Sequence, residues 1–400
     1  MKTKITNIGA ITTWSPEKNN IQTLDNVEIM VENYKITEIS SKIIDVDHEI
    51  NAEGALIIPG FVDSHTHPIF SGNRSDEFAL RIKGESYEKI AADGGGILSS
   101  ITNVRNSSEE QLFDESLKNI NFFLNHGTTT IEAKSGYGLT TKDEIKSLRV
   151  IQQLNEASKL EIIPTFMGAH AFPPEYENNP KKFIDLICSE MIPMIAEEKL
   201  AEYCDVFCEN TYFSIEDSRK ILTTAMEHGM KIRLHADEFE DSGAAELAAE
   251  LKAVSADHLM SVSDAGIKAM AEQGVMATLL PGTTLFLGKD SYADGRKIID
   301  QGCDVVLATD FNPGSCTIQS MPLIMSLACL YCGLNIEEAF IGSTWNGARS
   351  LNRNNVIGAI MPGYQADLLF LDLKSMDEIP YWMGSDRLLK VMKKGKLLEF

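Results

Sequence analysis

The sequence predicts an α/β fold: a (β/α)8 TIM-type barrel with a small β-sandwich-like domain built from both chain termini. Three observations support this prediction. Short apolar runs alternate with amphipathic helical windows through the middle of the chain, the alternation occurs eight times, and both ends contain strand-like runs with turns between them. A doubly wound sheet would give the same alternation, but eight is the number of strands that closes a barrel.

The predicted domains follow from where the two patterns change. The strand-like ends, residues 1–55 plus 355–400, are expected to form one small split β domain, and residues 56–354 the barrel. At the ends, the strand-like runs cover residues 4–13, 27–40, 51–54, 356–373 and 387–400. The eight predicted barrel strands cover residues 56–62, 128–133, 161–167, 203–208, 231–235, 254–258, 275–280 and 304–309.

Helix boundaries in the barrel carry recognisable signals. Thr141-x-x-Glu144 and Ser214-x-x-Asp217 predict helix N-termini, the first as a capping box. His126-Gly127 and His228-Gly229 predict helix ends. The connection over residues 68–106 is unusually long, and its three glycines (Gly94 to Gly96) would suit either a plain flexible loop or a lid over a binding site.

Composition and charge exclude several classes of function. Of 400 residues, 36 are Lys or Arg and 58 are Asp or Glu, giving a net charge of −22. A broad nucleic-acid surface is therefore not expected, although a small anionic substrate is compatible with a locally cationic pocket. No run of 18 apolar residues predicts a membrane span, and the first residues lack a signal-type apolar core. Seven irregularly spaced cysteines favour a reduced, cytoplasmic protein, and Cys329 and Cys332 are interpreted as buried small side chains.

Polar residues follow several predicted strands at the end where barrel enzymes keep their chemistry. Five of the eight histidines lie at such ends. His65 and His67 are two positions apart, so both imidazoles can face one side of an extended strand. That pair alone is a weak signal, but His235 and Asp310, after the fifth and eighth strands, complete a three-histidine, one-aspartate set with room for a water. Neutral imidazole suits zinc and iron.

Several segments resemble the amidohydrolase superfamily over nearly the whole chain. They are PGFVDSHTH (59–67), LHADE (234–238), SADH (255–258) and LATDFNPG (307–314). A narrower resemblance is to those members that open an imidazolone ring bearing a propionate arm. Its segments are HTHPIFSGNRSDEF (65–78), AADGGGIL (91–98), IEAKSGYGL (131–139), PTFMGAHAFPPEY (164–176), HADEF (235–239) and DFNPGS (310–315).

The resemblance implies a role for each matching residue. The metal ligands would be His65, His67, His235 and Asp310, and the catalytic residues Glu238, His258 and Asp310. The substrate contacts would be Arg74, Tyr137, His170, Glu238, Asn312, Gly314 and Ser315, where Ser315 replaces an expected threonine. The predicted fourth strand lacks the lysine that bridges two metals in many superfamily members, so one ion is expected, zinc or iron.

The implied reaction is hydrolysis of the ring C–N amide bond of 4-imidazolone-5-propanoate to N-formimidoyl-L-glutamate, by a metal-activated water. The implied partners are this small anionic substrate and a second copy of the chain in a homodimer, with no nucleic acid and no membrane. Two alternatives remain open: an amidohydrolase of the cytosine or guanine deaminase type, and a non-catalytic barrel scaffold. Arg74 bears on the first alternative, because a neutral base has no carboxylate for it to bind.

Some of these residues also have purely structural interpretations. Arg74 in a polar loop would ordinarily be a solvated surface charge, and Tyr137 could be a turn aromatic packed on the barrel rim. By strand alternation, Asp237 should point away from the barrel mouth. Asp63, His65 and His67 are spaced two residues apart, so on an extended strand their side chains face the same side. Asp63 is expected to cap a turn or to support the groups around it.

Overall fold

A computed structural model describes residues 2–85, 89 and 94–399 of the chain, and its centre is an eight-stranded parallel sheet. Each strand pairs with the next one in sequence, as a (β/α)8 barrel requires. The barrel strands, numbered one to eight, are Phe61–Asp63, Thr128–Lys134, Glu161–Ala169, Tyr203–Cys208, Lys231–Ala236, Ser255–His258, Met276–Leu279 and Val305–Leu307. The predicted barrel is confirmed, with strand boundaries shifted by up to two residues except at the first strand.

The first and eighth strands meet just beyond their carboxyl ends. Thr66 and Phe311 form a parallel bridge, and the backbone N–H of His67 donates to the carbonyl of Phe311 at 2.8 Å. The carboxylate of Asp63 accepts from the backbone N–H of Thr309 at 3.0 Å and from its hydroxyl at 2.6 Å. The barrel therefore closes through the segments that carry the predicted metal ligands, and Asp63 supports that closure.

The prediction of one strand over residues 56–62 is wrong. Leu56–Pro59 pairs with strands from both chain ends, and only Phe61–Asp63 belongs to the barrel. Gly60 lies between the two, where a Cβ would overlap the side chain of Thr129. The chain can pass from one sheet to the other at this point because glycine has no side chain.

The termini form two further sheets that share an apolar core, as predicted for a sandwich. Residues from both sheets, such as Ile29 and Phe370, pack in that core. One sheet contains Lys2–Thr6, Glu28–Glu32, Lys35–Ser40 and His48–Asn51. The other contains Ala10–Ser15, Asn20–Leu24, Leu56–Pro59, Leu368–Leu371, Leu388–Lys393 and Lys396–Leu397. The division into residues 1–55 plus 355–400 and 56–354 remains a prediction.

All of the terminal strand predictions need correction. The runs 27–40 and 387–400 each divide into two strands, at turns formed by Asn33–Tyr34 and Lys394–Gly395, and only Asn51 of the run 51–54 belongs to a strand. The run 4–13 divides at a turn, where Asn7 has a φ of 51° and sends the chain from one sheet to the other. In the run 356–373 only Leu368–Leu371 is a strand. Its earlier part includes Gly358 and Gly363, both at positive φ, which an extended strand cannot contain.

The helices pack around the barrel. Their bounds are Ser75–Ile82, Ile97–Asn106, Glu109–Asn125, Thr141–Ala157, Pro180–Leu186, Ile192–Glu198, Ile215–Glu227, Ala244–Glu250, Asp264–Gln273, Pro281–Phe286, Gly295–Asp300, Met321–Tyr331, Ile336–Ser343, Trp345–Ser350 and Glu378–Tyr381. A 3-10 turn, Pro174–Tyr176, and a π-helical turn, Ile187–Met191, complete the set. Across the described ranges, no helix is both long enough and apolar enough to cross a bilayer.

The helix signals hold with one correction. Ser214 caps its helix, and Gly127 and Gly229 follow helix ends at positive φ. The first predicted cap is displaced by one residue, because Thr140 rather than Thr141 accepts from the backbone N–H of Asp143. Glu144 does not close a capping box, since its carboxylate accepts from the backbone N–H groups of Gly138 and Leu139 instead.

All seven cysteines are free thiols. Cys332 is buried, whereas Cys329 is only partly buried. The interpretation of this pair as two buried side chains therefore holds for Cys332 and is too strong for Cys329.

Candidate active site

The polar residues at the carboxyl ends of the strands line one cavity of about 500 Å3. Every predicted site residue except His65 lies on its wall: His67, Arg74, Tyr137, His170, His235, Glu238, His258, Asp310, Asn312, Gly314 and Ser315. His65 lies beneath the wall and is fully buried. Predictions made from separate strands therefore meet in one place, as the barrel geometry requires.

The four predicted ligands lie together at the base of this cavity, three on its wall and His65 directly beneath. The Nε2 atoms of His65 and His67 are 3.3 Å apart. An oxygen of Asp310 (Oδ1) lies 3.7 Å from Nε2 of His65 and 3.6 Å from Nε2 of His67. The ring of His235 is centred 4.5 Å from that of His65. These groups form two clusters of candidate metal donors, His65–His67–Asp310 and His65–His235–His258, which share His65.

Two of these imidazole rings are hydrogen-bonded to carboxylates through their Nδ1 atoms, on the side away from Nε2. Nδ1 of His65 lies 2.7 Å from Asp257, and Nδ1 of His235 lies 3.0 Å from Asp205. Each carboxylate fixes the orientation and the tautomer of its imidazole and leaves Nε2 available, which is the usual arrangement around a histidine ligand. Sequence reasoning gave neither carboxylate a role. Asp205 is a single acid within an otherwise apolar strand, and Asp257 stood out only as part of the SADH segment at the end of strand six.

A fully buried charge network extends from Asp205 into the barrel. Lys134 donates to Asp205 at 2.7 Å and to Glu132 at 2.8 Å, and Arg233 contacts Glu132 at 2.8 Å. Glu132 and Lys134 are two positions apart, as are Arg233 and His235, so each pair points to one side of its strand. That charged i, i+2 spacing within apolar strands was the available sequence signal.

The protonation states of the ligands fit a cation. Burial lowers the pKa values of His65, His67 and His258 well below the usual value, which keeps these imidazoles neutral. Burial alone would lower the pKa of His235 as well, but the adjacent Asp205 carboxylate raises it overall. The neutral imidazole nitrogens of His65 and His67 beside the Asp310 carboxylate oxygen are a donor set that zinc and iron accept, so the residues present fit a metal ion.

Glu238 and His258 lie beside the donor clusters. Their side chains approach to 3.6 Å, between Oε2 and Nε2. Burial, reinforced by the negative charge of Asp310, raises the pKa of Glu238 to about 8. The backbone N–H groups of Glu238 and Phe239 donate to the Glu209 carboxylate at 2.5 and 2.9 Å, which anchors this turn. His258 also belongs to one donor cluster, so its assignment as a non-ligand remains a prediction.

Several strands end in residues with left-handed backbone geometry. His258 has a φ of 83°, Asp310 a φ of 54° and Asp237 a φ of 49°. Non-glycine residues at positive φ are uncommon and concentrate where a fold aims side chains at a site. The side chain of Asp237 turns away as expected and accepts from the backbone N–H groups of Ala244 and Ala245 at the start of a helix.

Tyr137 and His170 form one side wall. The ring of His170 stacks on that of His67, with their centres 5.1 Å apart. The ring centre of Tyr137 lies 5.2 Å from that of His170. Nδ1 of His170 donates to the carbonyl of Gly136 at 2.9 Å. Burial lowers the pKa of His170 to about 3, so its Nε2 carries no proton. His170 is thus suited to accept a hydrogen bond, which is more specific than the general substrate contact that the resemblance implies.

Arg74 lines the cavity and already has a partner. Its Nε and Nη2 donate to Oε2 of Glu77 at 2.9 and 2.7 Å. The same oxygen accepts from the backbone N–H of Gly96 at 3.1 Å. Arg74 is therefore a largely buried, paired residue of the wall and not a solvated surface charge. Of the motif AADGGGIL, residues 91–93 lie outside the described residues.

The loop after strand eight is organised by Asn312. Its side-chain oxygen accepts from the backbone N–H groups of Gly314 and Ser315 at 2.8 and 2.7 Å, and its amide donates to the Asp310 carbonyl at 2.7 Å. A Cβ at Gly314 would overlap the guanidinium of Arg74, so a side chain there would displace the end of that arginine. The sequence prediction missed three further charged residues of the cavity wall, Glu77, Arg81 and Lys289.

Fold and site together define a barrel hydrolase with a cluster of metal-donor residues at the strand ends. Residues 56–398 match the model of the amidohydrolase family. Among solved structures, a zinc-bound adenosine deaminase from Xanthomonas campestris aligns with a TM-score of 0.74, covering 99% of this chain and 92% of that one at 18% identity. A 5-methylcytosine deaminase from Klebsiella pneumoniae gives 0.75, with 99% and 97% covered at 17% identity. At these identities the likeness concerns the fold.

Curated relatives are much more similar in sequence. The imidazolonepropionase of Clostridium tetani is 46% identical, over 96% of this chain and 93% of the relative. The imidazolonepropionases of Thermoanaerobacter pseudethanolicus (44%, covering 94% and 91%) and Bacteroides fragilis (49%, covering 87% and 84%) are similarly close. The chain therefore belongs to the amidohydrolase family and, within it, to the imidazolonepropionases.

Proposed function

We propose that this chain hydrolyses the ring C–N amide bond of 4-imidazolone-5-propanoate to give N-formimidoyl-L-glutamate, a step of histidine degradation. The observation that carries the proposal is one cavity in which a metal-donor cluster, a Glu238–His258 pair and the guanidinium of Arg74 all line the wall. The first two suit hydrolysis of an amide, and the third suits a carboxylate arm. The name of the curated relatives supports the same reaction.

The proposed metal ligands are His65, His67, His235 and Asp310, holding one zinc or iron ion. A metal held there would supply a Lewis acid that lowers the pKa of a bound water. A single ion is supported by the buried Lys134, whose amine is paired with Asp205 and Glu132 and so is not a bridging ligand.

The residues around the cavity have separate parts in the proposed reaction. Asp310 takes a proton from the attacking water while the oxygen of that water forms a bond to the ring carbonyl carbon. His258 orients that water or polarises the carbonyl. Glu238, protonated near neutral pH, gives a proton to the ring nitrogen as the C–N bond breaks. The former carbonyl carbon becomes a carboxylate. The released nitrogen becomes the terminal nitrogen of a formimidoyl group, which stays on the other ring nitrogen.

Substrate binding is assigned to the walls. Arg74 binds the propionate, and the hydroxyl of Tyr137 donates a hydrogen bond to the substrate. The unprotonated Nε2 of His170 accepts a hydrogen bond from a ring N–H. The loop organised by Asn312 offers Gly314 and Ser315 beside Arg74, and Glu238 faces the ring. Tyr137 remains a neutral donor, because burial raises the pKa of its hydroxyl above the ordinary value.

A cytoplasmic homodimer belongs to the same proposal. The free thiols of all seven cysteines are compatible with a reducing compartment. The dimer is implied by the family resemblance and stays a prediction.

The direct test follows the ultraviolet absorbance of fresh 4-imidazolone-5-propanoate after addition of the purified protein. We expect the absorbance to fall with formation of N-formimidoyl-L-glutamate, and we expect a chelator to abolish the loss until zinc or iron is restored. Cytosine and guanine are tested in parallel for ammonia release. Turnover of those bases without turnover of the imidazolone would favour the deaminase alternative, and no turnover of any substrate by the metal-loaded protein would favour a scaffold.

A further inference from the structure

The two carboxylate oxygens of Asp310 have different neighbours. Oδ1 lies 3.7 Å from Nε2 of His65 and 3.6 Å from Nε2 of His67, within one of the candidate metal-donor clusters. Oδ2 accepts a hydrogen bond from the hydroxyl of Thr283 at 2.6 Å. This length is typical of a hydroxyl that donates to an ionised carboxylate. The carboxylate is thus oriented with Oδ1 towards the imidazoles and Oδ2 towards Thr283.

Thr283 reaches Asp310 from a different element. It lies in the helix Pro281–Phe286, just after barrel strand seven, and its exposed fraction is 1%. A hydroxyl has a single hydrogen to donate, and here that hydrogen is committed to Oδ2. Thr283 is not among the residues of the cavity wall, so its contact with the site is made through Asp310.

The backbone of Asp310 is anchored by other contacts. Its N–H donates to the carbonyl of His65 at 3.0 Å, and its carbonyl accepts from the amide of Asn312 at 2.7 Å. These bonds fix the main chain, about which the carboxylate can still rotate through its side-chain torsions. The bond from Thr283 is made to a carboxylate oxygen, and it therefore bears directly on which oxygen faces the imidazoles.

We propose that Thr283 is a positioning residue for the metal site, which acts by holding Asp310 with Oδ1 directed at the imidazole nitrogens. The inference rests on the proposed ligand set and extends it by one residue. Without the hydroxyl, the carboxylate can turn, and its buried Oδ2 loses a donor. Removal of a group that orients a ligand typically costs about 10- to 100-fold in metal affinity.

The test compares Thr283→Ser with Thr283→Ala. Both variants lose the methyl group and only the serine keeps a hydroxyl, so their difference isolates the hydrogen bond. We expect Thr283→Ala to bind zinc about 10- to 100-fold more weakly than Thr283→Ser, as measured by competition with a chelator. Thr283→Ser should stay close to wild type. Thr283→Val lacks the hydroxyl and keeps the branched shape, and it should show at least the same loss if the alanine variant does not fold.

Thr284→Ser and Thr284→Ala are the matched control pair. Thr284 is the next residue of the same helix and is also buried, and no hydrogen bond joins it to Asp310 in the described part of the chain. Its two variants should therefore bind zinc equally. A difference at Thr284 as large as that at Thr283 would make general loosening of the helix responsible and would overturn the inference. Equal zinc affinities of Thr283→Ser and Thr283→Ala would overturn it as well.

A second readout reports on the arrangement of the ligands. Cobalt(II) bound in place of zinc has a visible absorption spectrum that depends on the identity and geometry of its ligands. We expect Thr283→Ala to change this spectrum and Thr283→Ser to keep that of the wild type. An unchanged spectrum in Thr283→Ala would contradict a positioning role.

Metal binding and turnover can fail separately. If the wild type binds zinc and hydrolyses no imidazolone, the proposed function fails, and the zinc affinities of the Thr283 variants still decide the inference. If the wild type binds no zinc, the proposed ligand set and the inference fail together.

Discussion

Glu238 has the surroundings of a general acid. It is largely buried, its pKa is raised to about 8, and it lies 3.6 Å from His258 on the cavity wall. We expect Glu238→Gln to lower kcat by about 10²- to 10⁴-fold, because the amide keeps the shape and cannot deliver a proton. Metal content should be unchanged. Glu240→Gln makes the same chemical change at an exposed position two residues on, and a comparable loss there would refute the assignment.

His258 is the residue whose role the geometry leaves divided between catalysis and metal binding. It lies in one donor cluster with His65 and His235. We expect His258→Asn to lower kcat by about 10²- to 10⁴-fold while one equivalent of metal stays bound. Elemental analysis after dialysis is the measurement, with His126→Asn as a control outside the site. Loss of metal from His258→Asn would make this histidine a ligand.

Strand four contributes a carboxylate that no sequence pattern singled out. Asp205 accepts from His235 and from the buried Lys134, which against the effect of burial lower its pKa well below the usual range. We expect Asp205→Asn to weaken metal affinity by about 10- to 100-fold, as removal of a carboxylate behind a ligating histidine does. Competition with a chelator measures this.

Asp237→Asn is the matched control for that substitution, since Asp237 is a buried carboxylate that binds backbone N–H groups instead of a histidine. Its loss should cost stability and leave metal affinity alone. If both variants lose metal equally, the effect of Asp205 is general destabilisation of the barrel mouth.

The segment that carries Tyr137 is held by the next helix through Glu144. Burial raises the pKa of this carboxyl above its ordinary value of 4.5. The folded chain therefore binds this proton more tightly than the unfolded chain does. The stabilising contribution is complete below about pH 4.5 and is lost as pH rises through the raised pKa.

Glu144→Gln tests this linkage. The amide oxygen can still accept from Gly138 and Leu139, and the variant does not titrate. Its stability relative to wild type should therefore increase as pH rises, measured as the free energy of unfolding in denaturant at pH 5 and pH 8. Glu156→Gln, an exposed change on the same helix, should show no such trend. A difference for Glu144→Gln that is independent of pH would contradict the linkage.

Closure of the barrel is a property of the whole molecule, and it depends on Thr309. Its hydroxyl donates to Asp63 and accepts from the backbone N–H of Phe311. Thr309→Val keeps the shape and leaves buried polar groups without a partner, so we expect a loss of about 1–3 kcal/mol in the free energy of unfolding.

Thr130→Val provides a matched control in strand two. Among the described residues, the buried hydroxyl of Thr130 has no hydrogen-bond partner. The same substitution should therefore be neutral or stabilising there. Equal losses at the two positions would show that the Thr309 hydrogen bonds contribute nothing specific to closure.

The amino-acid sequence alone determined the barrel, the terminal sandwich and many of the residues of the candidate site. Period-two and helical patterns are local, and strand ends can be recognised one at a time, so His65, His67, His235 and Asp310 could be chosen without coordinates. Resemblance to the amidohydrolase superfamily supplied the roles. The helix ends before Gly127 and Gly229 could also be predicted from the sequence, because each depends on the backbone freedom of a single glycine.

Only the tertiary structure decided which groups meet. The division at Gly60, the Lys134–Asp205–His235 chain, the hydrogen-bond state of His170 and the pairing of Arg74 with Glu77 all depend on the positions of side chains from different elements. Arg81 drew no attention in the sequence, since a charged residue on a short helix is ordinarily solvated. Its place beside Gly314 exists because the barrel brings the loop after strand eight to the helix Ser75–Ile82, more than 200 residues away in sequence.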